Sequence, residues 1–306
     1  MELLVRPTDG LDDEAMSLAI YNEVWPRRAV TMGEVDSFKR SALAHEDHLA
    51  FLDRTPVGSG FVAILPARPD VGYTSITVLT EHRRRGAGTA LYGDISTWCA
   101  DQGLEALEAQ VEEDDEASFE YASRRGFTEI ERYGGMVLEL AGLDLPPAVL
   151  PAGIEIVTWA ERPDLARGIY DVAVEAYADM PGGEADVMES YEDWFAHDMQ
   201  GSGDLPEATF VALAGTEVAG YAKFSLTSAQ PSVAFHDITG VRRAWRGRGV
   251  AGALKRAQIA WAKQRGYEQL MTNNEMRNEP IRRLNARLGY GEAPGRIFMR
   301  GPLFGG

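Results

Sequence analysis

Residues 241–254 read VRRAWRGRGVAGAL, and residues 78–91 read VLTEHRRRGAGTAL. Each stretch passes from a valine through a basic, glycine-containing turn into small residues that suit the start of a helix. The stretches lie 163 positions apart, and at this offset residues 78–129 match residues 241–292 at 15 of 52 positions. Unrelated sequences of ordinary composition would match at roughly three positions. Because solenoid repeats have periods of roughly 20–50 residues, this interval predicts two copies of a whole domain.

Hydrophobic patterning predicts a similar order of elements in both copies. In the second copy we expect a helix at 164–178, strands at 209–214, 218–226 and 233–241, a helix at 249–266, a strand beginning at 270–272, a helix at 279–288 and a strand at 296–302. In the first copy we expect strands at 49–52, 57–65 and 73–78, a helix at 88–103, a strand at 106–111, a helix at 117–125 and a strand at 135–140. This order predicts the α/β class, with helices on both faces of a mixed sheet.

The segment between the copies, AGLDLPPAVLPAGI at 141–154, contains three prolines, two of them adjacent. Such composition is typical of a semi-extended linker. The predicted domains are therefore 1–142 and 153–306, joined by a linker at 143–152.

Composition restricts the functional class. The chain has 306 residues, is 45% hydrophobic and carries a net charge of −17. The length supports two cores, and the charge disfavours binding to a nucleic-acid backbone but is compatible with a cationic small molecule. No apolar run reaches the ~18 residues of a membrane span, and the start of the chain does not resemble a signal peptide. The single cysteine, Cys99, excludes an internal disulfide. We expect a cytoplasmic protein, monomeric or homodimeric, with no metal site and no nucleic-acid or membrane partner.

The Arg-Gly turn has the chemistry of a phosphate site. Glycines allow successive backbone N–H groups to face one point, where the N-terminus of a helix adds partial positive charge. Arg246 and Arg248 can neutralise a diphosphate. The turn contains neither the Gly-Lys-Ser/Thr of a Walker loop nor the G-x-G-x-x-G of a dinucleotide site.

The turn at 246–251, RGRGVA, resembles the acetyl-CoA pyrophosphate motif Q/R-x-x-G-x-G/A of the GNAT superfamily of N-acetyltransferases. The first copy carries the same pattern at 83–88, RRRGAG. Downstream, Asn278 and Asn285 with the Leu-Gly-Tyr at 288–290 resemble the family's asparagine-containing loop, helix and closing Leu-Gly-aromatic. The resemblance covers each copy from its first strands to its end.

This resemblance implies two GNAT-like domains in tandem, each with a centrally splayed sheet that holds acetyl-CoA between two parallel strands. It also implies direct transfer of acetyl from acetyl-CoA, the acyl-donor substrate, to the primary amine of a small molecule in a ternary complex. The implied CoA-binding residues are Val241, Arg246, Gly247, Arg248, Gly249, Val250, Ala251, Asn278 and Asn285, and in the first copy Val78, Arg83, Arg85, Gly86 and Gly88. Val241 would contribute its backbone N–H to the thioester carbonyl.

Acetylation of an amine near neutral pH requires a group that removes a proton from the ammonium. On the strand before the turn, the second copy offers His236 and Asp237, which are adjacent and so point to opposite faces. We favour Asp237 because a carboxylate also suits a cationic acceptor, with His236 as the alternative. A third possibility is that neither residue is catalytic and that water suffices. The general acid is not assigned, since Asn285 stands where many family members have a tyrosine.

The first copy lacks these groups. Tyr73 and Thr74 correspond to His236 and Asp237, and a tyrosine has an ordinary pKa near 10. Asp115 replaces Asn278, and Ala122 replaces Asn285. We therefore expect the first copy to be non-catalytic and the second to be catalytic.

The segment 177–199 of the second copy is acidic and contains aromatic residues. The resemblance implies that the corresponding segment covers the acceptor site, so Asp179 and Trp194 are predicted to bind the substrate. The alternative for most of its acids, which include Glu184 and Asp186, is the solvated face of an amphipathic helix.

Two other functions remain open. One is a non-catalytic acyl-CoA-binding or scaffold protein in which both copies are degenerate. The other is a mycothiol synthase-like acetyltransferase, because that enzyme also has two copies and a comparable length.

Overall fold

The computed structural model describes residues 2–145, 149–181 and 188–305. The chain divides into two compact units, which we call unit 1 and unit 2. Unit 1 contains Met1–Arg132 together with Arg296–Gly306, and unit 2 contains Tyr133–Gly295. Part of the predicted linker, residues 146–148, lies outside the described residues.

Unit 1 begins with a strand, which is followed by two helices and a run of strands. Its elements are β1 (Leu3–Pro7), α1 (Leu11–Val24), α2 (Met32–Ser41), β2 (Ala44–Leu52), β3 (Thr55–Leu65), β4 (Arg68–Val78), α3 (Ala87–Asp101), β5 (Ala106–Glu112) and α4 (Glu116–Ser123). The first five strands form a sheet in chain order, in which only β4 and β5 run parallel.

Unit 2 repeats this order of elements. They are β7 (Ile154–Thr158), α5 (Ala166–Ala178), α6 (Tyr191–Asp198), β8 (Thr209–Ala214), β9 (Glu217–Leu226), β10 (Val233–Val241), α7 (Val250–Gln264), β11 (Gln269–Glu275) and α8 (Glu279–Arg287). Strands β7 to β11 are adjacent in chain order, and β10 and β11 form the parallel pair. The short first strands of both units were not predicted, because five residues give too little alternation to detect.

The last strand of each sheet comes from the other copy of the repeat. In β6 (Thr128–Glu139), residues 133–139 pair antiparallel with β11 and complete the sheet of unit 2. In β12 (Gly291–Pro302), residues 296–302 pair antiparallel with β5 and complete the sheet of unit 1. The compact units therefore differ from the predicted domains 1–142 and 153–306. The physical reason is that two repeats offer equivalent final strands, and either strand can pair with either sheet.

Helices cover both faces of the sheet in unit 2. On one face α7 and α8 pack against apolar residues of β9, β10 and β11, including Phe224, Ala234 and Leu270. On the other face α5 and α6 pack against Tyr221 and Ile238. The predicted α/β class is confirmed. Among the described residues, no helix has the length and apolar character that a membrane crossing requires.

The turn before α3 and the turn before α7 have the same backbone, at different conformational cost. Gly247 has φ 72°, and its counterpart Arg84 has φ 64°. A side chain is strained in this left-handed region, whereas glycine is not. A Cβ added to Gly247 would meet no atom within 4 Å, so the cost of a side chain there comes from the backbone alone.

We therefore expect Arg84→Gly to raise the free energy of unfolding by about 0.5–1 kcal/mol. The reciprocal change, Gly247→Arg, should lower it by about 1 kcal/mol. Urea denaturation of the two variants and the wild type measures both effects. Destabilisation by Arg84→Gly would show that contacts of the Arg84 side chain outweigh the strain.

Candidate active site

A cavity of about 470 Å³ lies where the parallel strands of unit 2 separate. Strands β10 and β11 pair over Val233–Phe235 and Gln269–Met271, and the ladder between them ends there. The next residues of both strands line the cavity, as do the residues of the turn at 245–249, except Arg248, and the first residues of α7 and α8. One slot therefore connects the phosphate-type turn to the point where the strands meet.

A β-bulge shapes the middle of β10. Its register against β9 shifts between His236 and Ile238, so Asp237 is the extra residue. A bulge re-aims side chains locally. Asp237 pairs with Lys223 on the face covered by α5 and α6, whereas His236 is buried against Tyr290 on the face covered by α7 and α8. Both residues line the cavity.

The turn presents unpaired backbone donors to the cavity. Gly249 is left-handed, with φ 88°, and precedes the first residue of α7. The first helical bond from this end joins the N–H of Ala253 to the carbonyl of Gly249 at 3.0 Å. The N–H groups of residues 250–252 therefore have no acceptor within the helix and can bind an anion. Of the predicted CoA-binding residues in the turn, all except Arg248 line the cavity, and Arg248 lies over the ring of Trp245 instead.

Arg246 has two roles in the structure. Its Nε donates to the carbonyl of Val241 at 2.9 Å, which ties the turn to the end of β10. Its guanidinium also pairs with Asp179 at 2.7 Å. Arg243 binds the same carboxylate at 2.6 Å, and its hydrogen bonds lower the pKa of Asp179 to about 2. Asp179 lines the cavity, but its carboxylate is already paired with Arg243 and Arg246.

Lys223 is a buried cation that contacts three carboxylates, one of which is Asp237. The Nζ of Lys223 lies 2.8 Å from Asp204, 3.0 Å from Asp237 and 3.6 Å from Asp198. Burial opposes the charge of Lys223, but the carboxylates outweigh it and raise the pKa of the lysine. Burial also raises the pKa of Asp198 to about 6, against the lowering effect of Lys223. We call these four residues the Lys223 cluster.

On the opposite face of the sheet, three polar side chains meet near the point where the strands separate. The imidazole Nε2 of His236 bonds the hydroxyl of Tyr290, and the Nζ of Lys255 lies 5.6 Å from the centre of the Tyr290 ring. Burial lowers the pKa of Lys255 to about 7. Burial and the charge of Lys255 lower the pKa of His236. His236 is therefore a neutral imidazole near pH 7.

The two asparagines differ in position. Asn278 precedes α8 without a side-chain capping bond and lines the cavity. Its counterpart Asp115 caps α4 by accepting from the N–H of Ser118 at 3.0 Å. Asn285 is fully buried and donates to Asn274 at 2.7 Å. Asn285 was predicted to bind CoA, but it does not line the cavity; it lies behind Asn274, which does, and positions that side chain.

Trp194 is not available to a substrate. Its side chain is 1% exposed and packs among apolar residues of α5, α6 and the sheet. The sequence analysis predicted that Trp194 binds the substrate, but Trp194 lies on the inward face of the amphipathic helix α6 and is buried there. Glu184 and Asp186 lie outside the described residues.

Unit 1 has a separate cavity of about 380 Å³ at the corresponding separation of β4 and β5. Its walls include the aromatic residues Trp25, Phe61 and Tyr73, and none of residues 78–88 lines it. Tyr121 lines the cavity, and its hydroxyl lies 3.5 Å from the position that a Cβ on Gly88 would take.

None of the predicted CoA-binding residues of unit 1 lines this cavity. Arg83 donates to the carbonyl of Val78 at 3.2 Å, and Gly86 begins α3 with φ 95°. Arg85 and Gly88 belong to the same turn and helix start. The backbone of the motif is retained, but its connection to the slot is not.

The sequence analysis did not identify Lys223, Lys255 or Tyr290 as site residues. A signal was present, because the chain contains only four lysines against 26 arginines. Lys223 interrupts an apolar strand and Lys255 interrupts the apolar stripe of a helix. Both are at most 3% exposed. A rare lysine within an apolar run marks a position where an ordinary basic surface residue would not be placed.

A model of the acetyltransferase (GNAT) family matches residues 15–127 and 168–290. The chain belongs to this family. The two matched regions confirm the predicted tandem arrangement, and membership makes the protein an acyltransferase of the acetyltransferase family.

Similarity to individual proteins covers nearly the whole chain. The mycothiol acetyltransferase of Pseudarthrobacter chlorophenolicus is 26% identical over 277 residues, which are 85% of this chain and 81% of the relative. A tandem GNAT protein from the clavulanic acid biosynthesis pathway has a TM-score of 0.78 at 22% identity and full coverage of both chains. A GCN5-related N-acetyltransferase from Sphaerobacter thermophilus has a TM-score of 0.76 at 19% identity, covering 98% of this chain and 96% of that one. The two solved structures show that the fold is shared.

Proposed function

We propose that unit 2 transfers an acyl group from a CoA thioester to the primary amine of a small molecule, and that unit 1 is non-catalytic. Acetyl-CoA is the donor that the family generally uses. The observation that carries the proposal is the slot that connects the free N–H groups of the turn to Asp237. In unit 1 the turn does not line the corresponding cavity, and the counterpart of Asp237 is Thr74, which has no carboxylate.

The residues of unit 2 fit a CoA thioester in two places. The N–H groups of residues 250–252 and the guanidinium of Arg246 supply donors and positive charge for a diphosphate. The unpaired edges of β10 and β11 supply backbone groups for an amide-containing chain between them. Asn278 adds a side-chain amide to the same wall.

Asp237 is the group that we assign to the acceptor. It lies at the bulge, with its side chain 36% exposed, and it borders the cavity. From there it can take a proton from an ammonium as the amine attacks the thioester. Lys223 holds this carboxylate in place, and the net acidity of the Lys223 cluster attracts a cationic amine.

The mycothiol acetyltransferase relative favours one acceptor class as a second candidate. The 26% identity spans both copies of the repeat, so the acceptor of that enzyme should be among the first amines tested. A polyamine or another amino compound remains compatible with the acidic cluster.

A thiol-release screen tests the proposal. Wild-type protein is incubated with acetyl-CoA, and in parallel with succinyl-CoA, together with a panel of primary amines, and free CoA is measured with a thiol reagent. We expect amine-dependent release of CoA with at least one amine and formation of the matching amide by mass spectrometry. CoA binding without turnover over the whole panel would favour the acyl-CoA-binding scaffold.

A further inference from the structure

The inner end of the unit 2 cavity contains a buried lysine without a counter-ion. Lys255 is 1% exposed and lines the cavity beside His236 and Thr272, the first residues after the paired parts of β10 and β11. The described residues offer it no hydrogen bond or ion pair; its Nζ lies 5.6 Å from the centre of the Tyr290 ring, and its charge lowers the pKa of His236. A buried ammonium without a partner is costly, so proteins rarely keep one without a use.

Lys255 differs in this respect from the other buried lysines. Lys223 has three carboxylates around it, and Lys39 pairs with Glu14 and Asp47. The chain therefore places carboxylates beside buried lysines elsewhere. At Lys255 the described residues leave the position next to the Nζ without an anion, and that position faces the cavity.

The groups around Lys255 are specific to unit 2. The counterparts of Lys255, His236 and Tyr290 in the first copy are Tyr92, Tyr73 and Phe127. All three positions differ, and Phe127 cannot hydrogen-bond. The cationic end thus occurs in the copy whose cavity includes the phosphate-type turn, and is absent from the copy whose cavity excludes it.

The CoA moiety supplies no counter-ion here, because its phosphates have their own donors at the turn and its pantetheine arm is uncharged. This arm extends from the turn toward the meeting point of the strands, and the acyl group follows at its end. We infer that the acyl donor of unit 2 is a CoA thioester of a short dicarboxylic acid, such as malonyl-CoA or succinyl-CoA, whose terminal carboxylate pairs with Lys255. The hydroxyl of Tyr290 and the imidazole of His236 lie beside that carboxylate. This inference rests on the proposed function and narrows its donor.

Protonation provides an independent signature of the ion pair. Within the described part of the chain, the titratable groups shown against Lys255 are His236 on β10 and Tyr290 before β12. Burial raises the pKa of Tyr290 and lowers that of His236, so both are neutral near pH 7. A carboxylate beside Lys255, whose pKa burial has lowered to about 7, raises that pKa again. At pH 8, binding of a dicarboxylic thioester therefore takes up a proton from the buffer.

The experiment compares Kd values for acetyl-, butyryl-, malonyl-, succinyl- and glutaryl-CoA by calorimetry at pH 8 in two buffers of different ionisation enthalpy. Wild-type protein should bind one dicarboxylic thioester at least about tenfold more tightly than butyryl-CoA, with proton uptake. Lys255→Met should reverse this preference and abolish the uptake. The control Lys263→Met, on the exposed side of the same helix, should leave both unchanged.

Thermal unfolding without ligand separates loss of binding from loss of folding. Lys255→Met removes an unpaired buried charge, so its Tm should equal or exceed that of the wild type. Equal or tighter binding of butyryl-CoA by the wild type overturns the inference and leaves the proposed function intact. A dicarboxylic preference that survives Lys255→Met also overturns it. Failure of every thioester to bind overturns both.

Discussion

Replacement of Asp237 by asparagine is expected to lower kcat for acyl transfer by at least about 100-fold. Asparagine has nearly the same shape but cannot accept the proton of the ammonium. The Kd of the CoA thioester should change by less than about threefold, because the turn and the slot do not depend on this side chain. The measurement is steady-state CoA release with the best amine of the screen, together with calorimetry for the donor.

A control shows whether the loss is specific. Asp164→Asn removes an exposed acid of unit 2 that pairs with Arg162. Both residues lie far from β10 along the chain. This variant should keep wild-type kcat. If Asp237→Asn retains more than about a tenth of kcat while His236→Gln does not, the role belongs to His236, the alternative on the opposite face.

Lys223→Met is expected to produce the largest loss of stability, about 3–5 kcal/mol at pH 8. The substitution leaves three carboxylates in a largely buried cluster without their cation. Asp204 is 11% exposed, and burial already raises its pKa. Guanidinium denaturation of Lys223→Met, with Lys263→Met as the exposed-lysine control, measures the effect.

The deficit should shrink as the pH falls. Burial raises the pKa of Asp198 in the folded state to about 6, above its ordinary value of 3.8, so the native state binds a proton more readily than the unfolded chain. The penalty from Asp198 is therefore fully present above about pH 6, shrinks as the pH falls below that value and is lost by about pH 4. Without Lys223 this pKa rises further. A Lys223→Met deficit that is below 1 kcal/mol at pH 8, or larger at pH 5 than at pH 8, would contradict this account.

The sequence predicted the repeat, the order of most elements and the phosphate-type turn, because each depends on residues close together in the chain. The assignment of Asp237 and His236 to different faces followed from alternation along one strand. The bulge that aims Asp237 could not be predicted, since it depends on register against β9. The burial of Trp194 depends on which face of α6 packs inward.

Long-range partners were beyond the sequence. The pairing of Lys223 with Asp198, Asp204 and Asp237 joins a helix, a loop and two strands. Asp179 was predicted to meet the acceptor, but its partners Arg243 and Arg246 lie more than 60 residues away. The sequence analysis assigned the final strands β6 and β12 to the sheets of their own copies. The sequence could not show their exchange, because the sheets of two repeats offer equivalent edges to either strand.

The central claim is that unit 2, rather than unit 1, catalyses acyl transfer. The most direct test measures amine-dependent CoA release by matched double variants, Arg246→Met with Arg248→Met in unit 2 and Arg83→Met with Arg85→Met in unit 1. The matching is close, because Arg246 and Arg83 make the same bond to a strand carbonyl. We predict that the unit 2 variant loses at least about 100-fold in kcat/KM and that the unit 1 variant stays within about threefold. A loss confined to the unit 1 variant, or an equal loss in both, would contradict the claim.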